Sequence, residues 1–360
     1  SESSAFEMIT NGGLGRLYIL VNDIDLSEYT TNAPLINGKF LGTLDGAGYT
    51  LSHLTNNQGL IEALGTNARV HDLTLNAFSI DGNVAVGALA SEINGDENII
   101  IDQVKVIDSN IQGNKEVGGL IGRIISFDGV VTLSSIEVNA TVSGQGYVGG
   151  FIGNVGSENS SSELRLDQVT FYGSVSGSNT DFAGIGGLIG QLSNGNVRIN
   201  DASSHGDISA SYDDAEIGGF IGRFVLTNTL GSLEISRAYT SVEFSGNPSI
   251  YTGLMVGYAF VSGLGDGGAP SEIILENVYT QASSDHELFG ARPGVLKISN
   301  TSMTDEFTEE EMTLASSFTG WDIAPYPNLT SVWSIRYDGQ TTYPWLSFTN
   351  QPNPSQIIDD

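Results

Sequence analysis

Val117-Gly-Gly-Leu-Ile-Gly122 is one copy of a short motif that recurs along the chain with its apolar and glycine positions nearly unchanged. The other copies are Val86-Gly-Ala-Leu-Ala-Ser91, Val148-Gly-Gly-Phe-Ile-Gly153, Ile185-Gly-Gly-Leu-Ile-Gly190, Ile217-Gly-Gly-Phe-Ile-Gly222 and the degenerate Thr252-Gly-Leu-Met-Val-Gly257. Successive copies begin 31, 31, 37, 32 and 35 residues apart. A period in this range is typical of solenoids, whose units stack in one dimension. Each copy is therefore interpreted as one strand of a repeating coil.

A second repeating segment carries two apolar positions separated by two polar residues. Its members are Val70-His-Asp-Leu-Thr-Leu75, Ile101-Asp-Gln-Val-Lys-Val106, Leu133-Ser-Ser-Ile-Glu-Val138, Leu166-Asp-Gln-Val-Thr-Phe171, Ile199-Asn-Asp-Ala-Ser-Ser204, Ile235-Ser-Arg-Ala-Tyr-Thr240 and Leu275-Glu-Asn-Val-Tyr-Thr280. This spacing breaks the two-residue alternation of a strand, so it predicts a bend or bulge that lets both apolar residues reach the interior. A third short piece, such as Ala140-Thr-Val-Ser-Gly144, completes a coil of about three strands.

These repeats predict an all-β fold, a right-handed parallel β-helix, because strand twist favours that hand of crossover. Equivalent residues of successive coils would then lie about 4.8 Å apart. The predicted apolar core ladder is Leu89, Leu120, Phe151, Leu188, Phe220 and Met255. The structural glycines of the repeat are Gly118, Gly119, Gly122, Gly149, Gly150, Gly153, Gly186, Gly187, Gly190, Gly218, Gly219 and Gly222. Such glycines indicate either a positive φ or a close backbone approach.

Apolar residues occupy both faces of the motif strand, and this leaves two alternatives. Either the glycine pair resets the alternation so that Val117, Leu120 and Ile121 all point inward, or Val117 and Ile121 form an exposed apolar stripe. The first alternative is favoured. The second would create a contiguous patch suited to a partner.

The two ends of the chain differ from the repeats. The uninterrupted apolar run Leu17–Val21 predicts a strand covered on both faces. Near the other end, Thr308 and Glu311 form a capping-box pattern that predicts a short helix. The predicted divisions are N-terminal strands and first coil at 1–60, repeat β-helix at 61–300, C-terminal aromatic cap at 301–349 and extended tail at 350–360. The aromatic residues assigned to the cap are Trp321, Trp333 and Trp345, with a sugar-stacking surface as the alternative.

Charge and composition exclude several classes of partner. The formal net charge of -29 opposes binding to nucleic acid or to anionic membranes. The chain has no cysteine, so disulfides and thiolate metal sites are excluded, and no apolar run reaches the roughly 18 residues that span a bilayer. The acidic residues are scattered along the sequence, which favours a strongly solvated surface. Calcium binding is the alternative, and no cofactor is predicted. Asp23 and Asp25 are expected to make side-chain bonds to a corner of the backbone.

The Gly-Gly-Leu-Ile-Gly repeats resemble the GLUG motif, a repeat of bacterial surface adhesins and of the β-helical parts of IgA-specific metalloendopeptidases. The flanking segments Tyr18–Leu26 with Phe40–Tyr49, and Phe318–Asp322 through Tyr343–Leu346, are similar to the beginning and end of such regions. The resemblance implies a secreted or surface-anchored bacterial protein. It does not imply peptidase activity, because the sequence has no His-Glu-x-x-His helix. The four histidines, which stand in unrelated contexts, are His53, His71, His205 and His286.

Parallel β-helices often degrade polysaccharides, so a catalytic alternative is weighed through the acidic residues of the second segment. Asp102 and Asp167 occupy the same position two coils apart, or roughly 10 Å, which is slightly beyond the spacing of an inverting glycosidase. Amides and hydroxyls dominate the neighbouring positions, which is more typical of hydrogen-bonded ladders. No catalytic residues are therefore predicted.

The leading hypothesis is a non-enzymatic, extracellular or cell-surface module that acts in adhesion or as a rigid spacer. Its predicted partners are an extracellular glycan, a protein receptor, or copies of itself. The alternatives are a self-assembling subunit of a surface layer or filament, with residues 350–360 supplying strands to a neighbour, and a polysaccharide-degrading enzyme. Loops suited to binding specificity are predicted at Ser157–Ser162, Ser178–Gly184 and Ser262–Ala269.

Overall fold

The protein is a parallel β-helix, and the prediction of an all-β solenoid is confirmed. A computed structural model describes residues 9, 13–29, 31–95, 97–125, 128–156, 162–178, 183–227, 231–246, 251–262, 272–281, 286–291, 297–302, 305–336, 341–353 and 356–358. Strands make up 63% of the described residues and helices 4%. The coils stack along one axis and form three parallel sheets, and every regular coil contributes a strand to each sheet.

The first sheet carries the longest strands, and its members pair in parallel from coil to coil. They are Leu17–Ile19, Ile24–Asp25, Thr43–Asp45, Thr50–Ser52, Thr55–Asn56, Arg69–Asn76, Ser79–Asp81, Ile99–Gln112, Val130–Gly144, Glu163–Gly177, Gly195–Ala210, Gly231–Gly246, Glu272–Gln281, Lys297–Ser302 and Asp305–Phe307.

The second and third sheets meet at the repeated glycines. The second comprises Val84–Val86, Lys115–Gly118, Val148–Gly149, Gly184–Gly186, Glu216–Gly218 and Thr252–Gly253. The third comprises Ile36–Phe40, Ile61–Leu64, Ala90–Ile93, Ile121–Ile125, Ile152–Gly156, Ile189–Ser193, Ile221–Thr227, Val256–Ser262 and Phe289–Ala291.

The C-terminal residues form small elements of their own. A short α-helix spans Glu309–Met312, and its capping box between Thr308 and Glu311 confirms the sequence prediction. The 3-10 turns are Ala315–Ser317 and Ser347–Thr349, and the strands are Ile323–Pro325, Trp333–Ile335, Thr341–Thr342, Trp345–Leu346 and Ile357–Ile358. No helix among the described ranges is both long enough and apolar enough to cross a bilayer.

The predicted bend lies inside the long strands of the first sheet. In each of the seven copies, two polar residues separate the apolar positions, and the second polar residue has a left-handed backbone with φ from 48° to 55°. These residues are Asp72, Gln103, Ser135, Gln168, Asp201, Arg237 and Asn277. The bend reverses the alternation, so both apolar residues of each pair are buried, as at Ile101 and Val104. This feature was predicted from the sequence and is confirmed.

The glycine motif works by close backbone approach and not by positive φ. A Cβ at Gly149 would lie 2.1 Å from the carbonyl oxygen of Ile152 and 2.7 Å from that of Leu188. Because the chain folds this tightly, Val117, Leu120 and Ile121 are all fully buried, and no exposed stripe forms there. The first of the two alternatives for the glycine pair is therefore the observed one.

The core ladder is continuous from coil to coil. Backbone hydrogen bonds link each predicted ladder residue to the next, from Leu89 through Met255, and all six side chains are fully buried. The same column continues through Leu60 at one end and Leu288 at the other. The sequence motif is not recognisable at these two positions because their flanking glycines are degenerate.

The N-terminal strand departs from its prediction. Leu17, Ile19 and Val21 are 62%, 53% and 78% exposed, whereas Tyr18 and Leu20 pack on the core. The expectation that this strand is covered on both faces is wrong. Its outer face is bare because the segment that covers the first sheet lies over later coils.

That covering segment is the C-terminal strap, which we define as the described residues from 308 to 358. It runs back along the outer face of the first sheet, and its aromatic residues pack on Tyr279 and Tyr239. Trp333 donates from Nε1 to Asp201 Oδ1 at 3.0 Å, and Lys105 Nζ lies 6.0 Å from the Phe348 ring centre. The aromatic cap thus covers a flank of the β-helix and not simply its end.

Residues 356–358 are docked and do not form a free tail. Ile357–Ile358 pairs with Thr341–Thr342, and Gln356 is fully buried. The Gln356 side chain accepts a hydrogen bond from Tyr172 at 2.9 Å and donates to the carbonyl of Pro344 at 2.7 Å. The Gln356 amide is therefore one of the groups that fasten the strap to the β-helix.

We expect Gln356→Ala to lower the free energy of unfolding by about 2 to 3 kcal/mol, because it leaves buried polar partners without hydrogen bonds. Urea unfolding followed by circular dichroism measures this loss. Gln351→Ala is the matched control, since Gln351 is exposed, and it should have almost no effect. Equal stabilities of the two variants would contradict the role assigned to Gln356.

Candidate functional site

A surface recess lies where the first sheet turns into the second. It is a groove of about 540 Å³ that runs across five coils. Its lining consists of Gln112, Gly113, Asn114, Ser143, Gly144, Gln145, Ser176, Gly177, Ser178, Ser209, Ala210, Ser211, Ser245 and Gly246. None of these residues is charged, although the chain as a whole is strongly acidic.

The parallel register aligns the polar side chains of this groove. Ser143, Ser176, Ser209 and Ser245 are direct partners in successive coils, and Gln112 precedes them in the same column. Five such positions extend over roughly 19 Å at the spacing of parallel strands. The groove therefore presents a regular row of one amide and four hydroxyl groups to an extended ligand.

Glycine forms the floor because side chains would collide there. A Cβ at Gly177 would lie 2.2 Å from Ile185 Cδ1, and a Cβ at Gly144 would lie 2.9 Å from Val117 Cγ2. Ser178 closes toward the neighbouring coil by donating from its backbone nitrogen to the Gly144 carbonyl at 2.9 Å. The depth of the groove is thus fixed by core packing beneath it.

A second set of polar residues lies on the outside of the corner between the second and third sheets. Arg123 pairs with Glu92 at 2.7 Å and with Glu116 at 3.2 Å, and Asn154 donates to Glu116 at 2.9 Å. The same seven-residue spacing recurs in the pair formed by Glu216 and Arg223. These interactions tie coils together side by side.

Glu216 is the most buried acid at this corner, with 2% of its surface exposed. Burial raises the pKa of its carboxyl group, and the Arg223 guanidinium opposes that rise. Arg223 also lies 5.1 Å from the Tyr258 ring centre. Because its charge is paired, Glu216 has the environment of a structural ion pair.

The two acids weighed for catalysis do not converge in the groove. Asp102 accepts a hydrogen bond from Ser134 at 2.7 Å, and Asp167 pairs with Ser134 from the other side, two coils away from Asp102. Burial, and then the nearby Asp201 carboxylate, raise the pKa of Asp167. Ser134 therefore stands between the two acids in a column of the kind expected for a hydrogen-bonded ladder.

The strap encloses a buried histidine. His205 is 1% exposed, lies between Tyr172 and Tyr239 at ring-centre distances of 5.0 Å, and contacts Ser241 Oγ through Nδ1 at 2.7 Å. Burial lowers the pKa of His205 to about 3. The imidazole is therefore neutral at physiological pH and acts as part of the strap interface.

The aspartates of the N-terminal corner and the three tryptophans make contacts that stabilise the fold. Asp23 accepts a hydrogen bond from the Thr50 backbone at 2.8 Å, and Asp25 accepts one from the Ser27 backbone at 2.9 Å. Trp321, Trp333 and Trp345 are buried, which leaves no face for sugar stacking. The three candidate specificity loops, at 157–162, 178–184 and 262–269, lie mostly outside the described residues.

Sequence reasoning did not find the serine groove. Each coil contributes only a serine or glutamine followed by a glycine or alanine, and such pairs are ordinary turn residues when read singly. Aligning the coils by the bend residues would have revealed the column, because Ser143, Ser176 and Ser209 stand at the same distance from their bends.

No protein-family profile and no curated protein sequence matches this chain. Among solved structures, the chain is similar to a putative immunoglobulin A1 protease from Bacteroides ovatus. The two share 15% sequence identity with a TM-score of 0.49, over 74% of this chain and 78% of that one. This distant likeness carries no functional argument.

Proposed function

We propose that this chain is a non-catalytic β-helical module of a secreted or cell-surface bacterial protein, and that it acts in adhesion by holding an extended glycan in the serine groove. The observation that carries this proposal is the register of Ser143, Ser176, Ser209 and Ser245 across successive coils. A row of equally spaced hydroxyls matches a ligand that itself repeats. An uncharged polysaccharide is such a ligand.

The charge of the molecule narrows the glycan class. The groove lining is uncharged. Asp207 and Glu243 pair in neighbouring coils, and each lies two residues before a serine of the groove, Ser209 or Ser245. Anionic polysaccharides would be repelled by these acids and by the net charge of -29. Neutral or amine-bearing glycans are therefore the favoured ligands.

Rigidity supports a role in display as well as in binding. Long strands pair over 12 to 15 residues in the central coils, and the strap adds a second layer along the same flank. A groove built on such strands keeps its shape without paying for loop ordering when a ligand binds. The adhesion and spacer roles are thus compatible in one module.

We expect Ser176→Trp to reduce glycan binding at least tenfold, because the indole would fill the middle of the groove. Binding is measured on an array of neutral, amine-bearing and acidic glycans and then by calorimetry with the best ligand. Thr132→Trp is the matched control, since Thr132 lies on the outer face of the first sheet away from the groove.

Other outcomes of the same experiments separate the competing functions. Equal binding by both variants, or no binding to any neutral or amine-bearing glycan, would contradict the groove proposal. Release of reducing sugar from a bound glycan would favour the degrading enzyme. High-mass species in light scattering of the unmodified chain would favour the self-assembling subunit.

A further inference from the structure

Three potential metal ligands converge on the N-terminal coils, far in sequence from the serine groove. Asp45, His71 and Asp72 each place one ligand atom within 4.8 Å of the other two. The His71 Nδ1 atom lies 2.8 Å from Asp72 Oδ2 and 3.6 Å from Asp45 Oδ1. We propose that these residues bind a divalent transition-metal cation of the zinc type.

The fold itself creates this cluster. Asp45 and His71 are direct partners in neighbouring strands, so their side chains project side by side. Asp72 is the bend residue, with φ of 53°, and it is partly exposed together with His71. Consecutive residues of a regular strand point to opposite faces, so the bend is what brings Asp72 beside His71.

The distances suit a small tetrahedral ion. Zinc bonds to nitrogen and oxygen are about 2.0 to 2.1 Å long, which places neighbouring ligand atoms of a tetrahedron about 3.3 Å apart. The separations of 2.8 Å and 3.6 Å lie on either side of that value. A cation between Nδ1 and the two carboxylates would draw the third separation, between the Asp45 and Asp72 oxygens, from its limit of 4.8 Å toward the same value.

The ligand set and the local charge favour the same class of ion. Imidazole nitrogen and carboxylate oxygen are both ligands of zinc, whereas calcium takes six to eight oxygen ligands. The two carboxylates balance a charge of two, and Asp102, the partner of His71 in the next coil, adds a further acid. Three protein ligands would leave a fourth position for water.

The chain contains a natural comparison for this site. His53 Nδ1 lies 3.0 Å from Asp25 Oδ1, and both side chains are more than half exposed. Among the described residues, this pair does not belong to a cluster of three potential ligands. It can therefore form an ion pair without forming a three-ligand site.

Titration calorimetry of the full chain with zinc chloride tests the proposal, in 0.15 M salt with excess Mg²⁺ to occupy unspecific carboxylates. We expect one zinc ion per chain. Binding should be lost in His71→Ala, strongly weakened in the isosteric Asp72→Asn and unchanged in His53→Ala. Circular dichroism verifies that each variant remains folded.

Cobalt substitution gives a second, independent measurement. Co²⁺ bound in a tetrahedral site absorbs visible light much more strongly than hydrated Co²⁺, and zinc should abolish that absorption in proportion to its binding. Absence of zinc binding to the unmodified chain, or equal binding in folded His71→Ala and His53→Ala, would show that the cluster is an ion pair only.

Discussion

Gly149→Ala is expected to prevent folding or to lower the free energy of unfolding by more than about 4 kcal/mol. The added methyl group would lie 2.1 Å from the Ile152 carbonyl oxygen, 2.7 Å from the Leu188 carbonyl oxygen and 2.7 Å from the Gly190 nitrogen. All three atoms belong to backbone, so no rotamer change relieves the collision. Soluble yield and thermal unfolding by circular dichroism measure the effect.

Gly156→Ala is the matched control in the same coil. Its methyl group would meet only the Ser193 hydroxyl, at 3.2 Å, and that side chain can rotate away. We expect this variant to change stability by less than about 1 kcal/mol. A folded Gly149→Ala protein as stable as Gly156→Ala would refute the close approach of the second and third sheets.

Acid is expected to weaken the fold through His205. An unfolded chain protonates this imidazole near its ordinary pKa of 6.5, whereas the folded chain resists protonation until about pH 3. Between these values the unfolded state binds more protons, so the free energy of unfolding falls as the pH is lowered. The loss attributable to His205 should reach about 4 to 5 kcal/mol near pH 3 and vanish above pH 7.

Chemical unfolding at pH 7, 5.5 and 4 measures this dependence, with His205→Gln as the comparison. Glutamine keeps a polar side chain but has no proton to bind, so the slope between pH 6.5 and 4 should be shallower in the variant. The difference between the two proteins removes the contribution of acids such as Asp167, whose raised pKa has the opposite effect on stability. Parallel pH profiles would refute the role of His205.

The local features of the fold could be predicted because every coil repeats them. The two apolar positions around Gln103 imply a bend wherever they recur, and the pattern stands seven times in the chain. The glycine pair at Gly118 likewise implies a tight turn in each copy. Such signals depend on neighbours in sequence, so a single sequence is enough to detect them.

The strap and the sites depend on contacts that no local pattern contains. Trp333 reaches Asp201 across 132 residues, and nothing near either residue indicates the other. For the same reason, the apolar run at Leu17 looks buried in sequence although the strap never reaches it. Asp45 and His71 become a candidate metal site only once the register of two coils is known.

The hydrogen bond between Tyr172 and Gln356 spans 184 residues. During synthesis on the ribosome the earlier coils can wind in order as they emerge, but Tyr172 and His205 remain open to water until residue 356 is available. A nascent chain halted before that point should therefore expose an aromatic surface that is prone to aggregation. Among the described coils, this aromatic flank is therefore the part of the surface that is covered last.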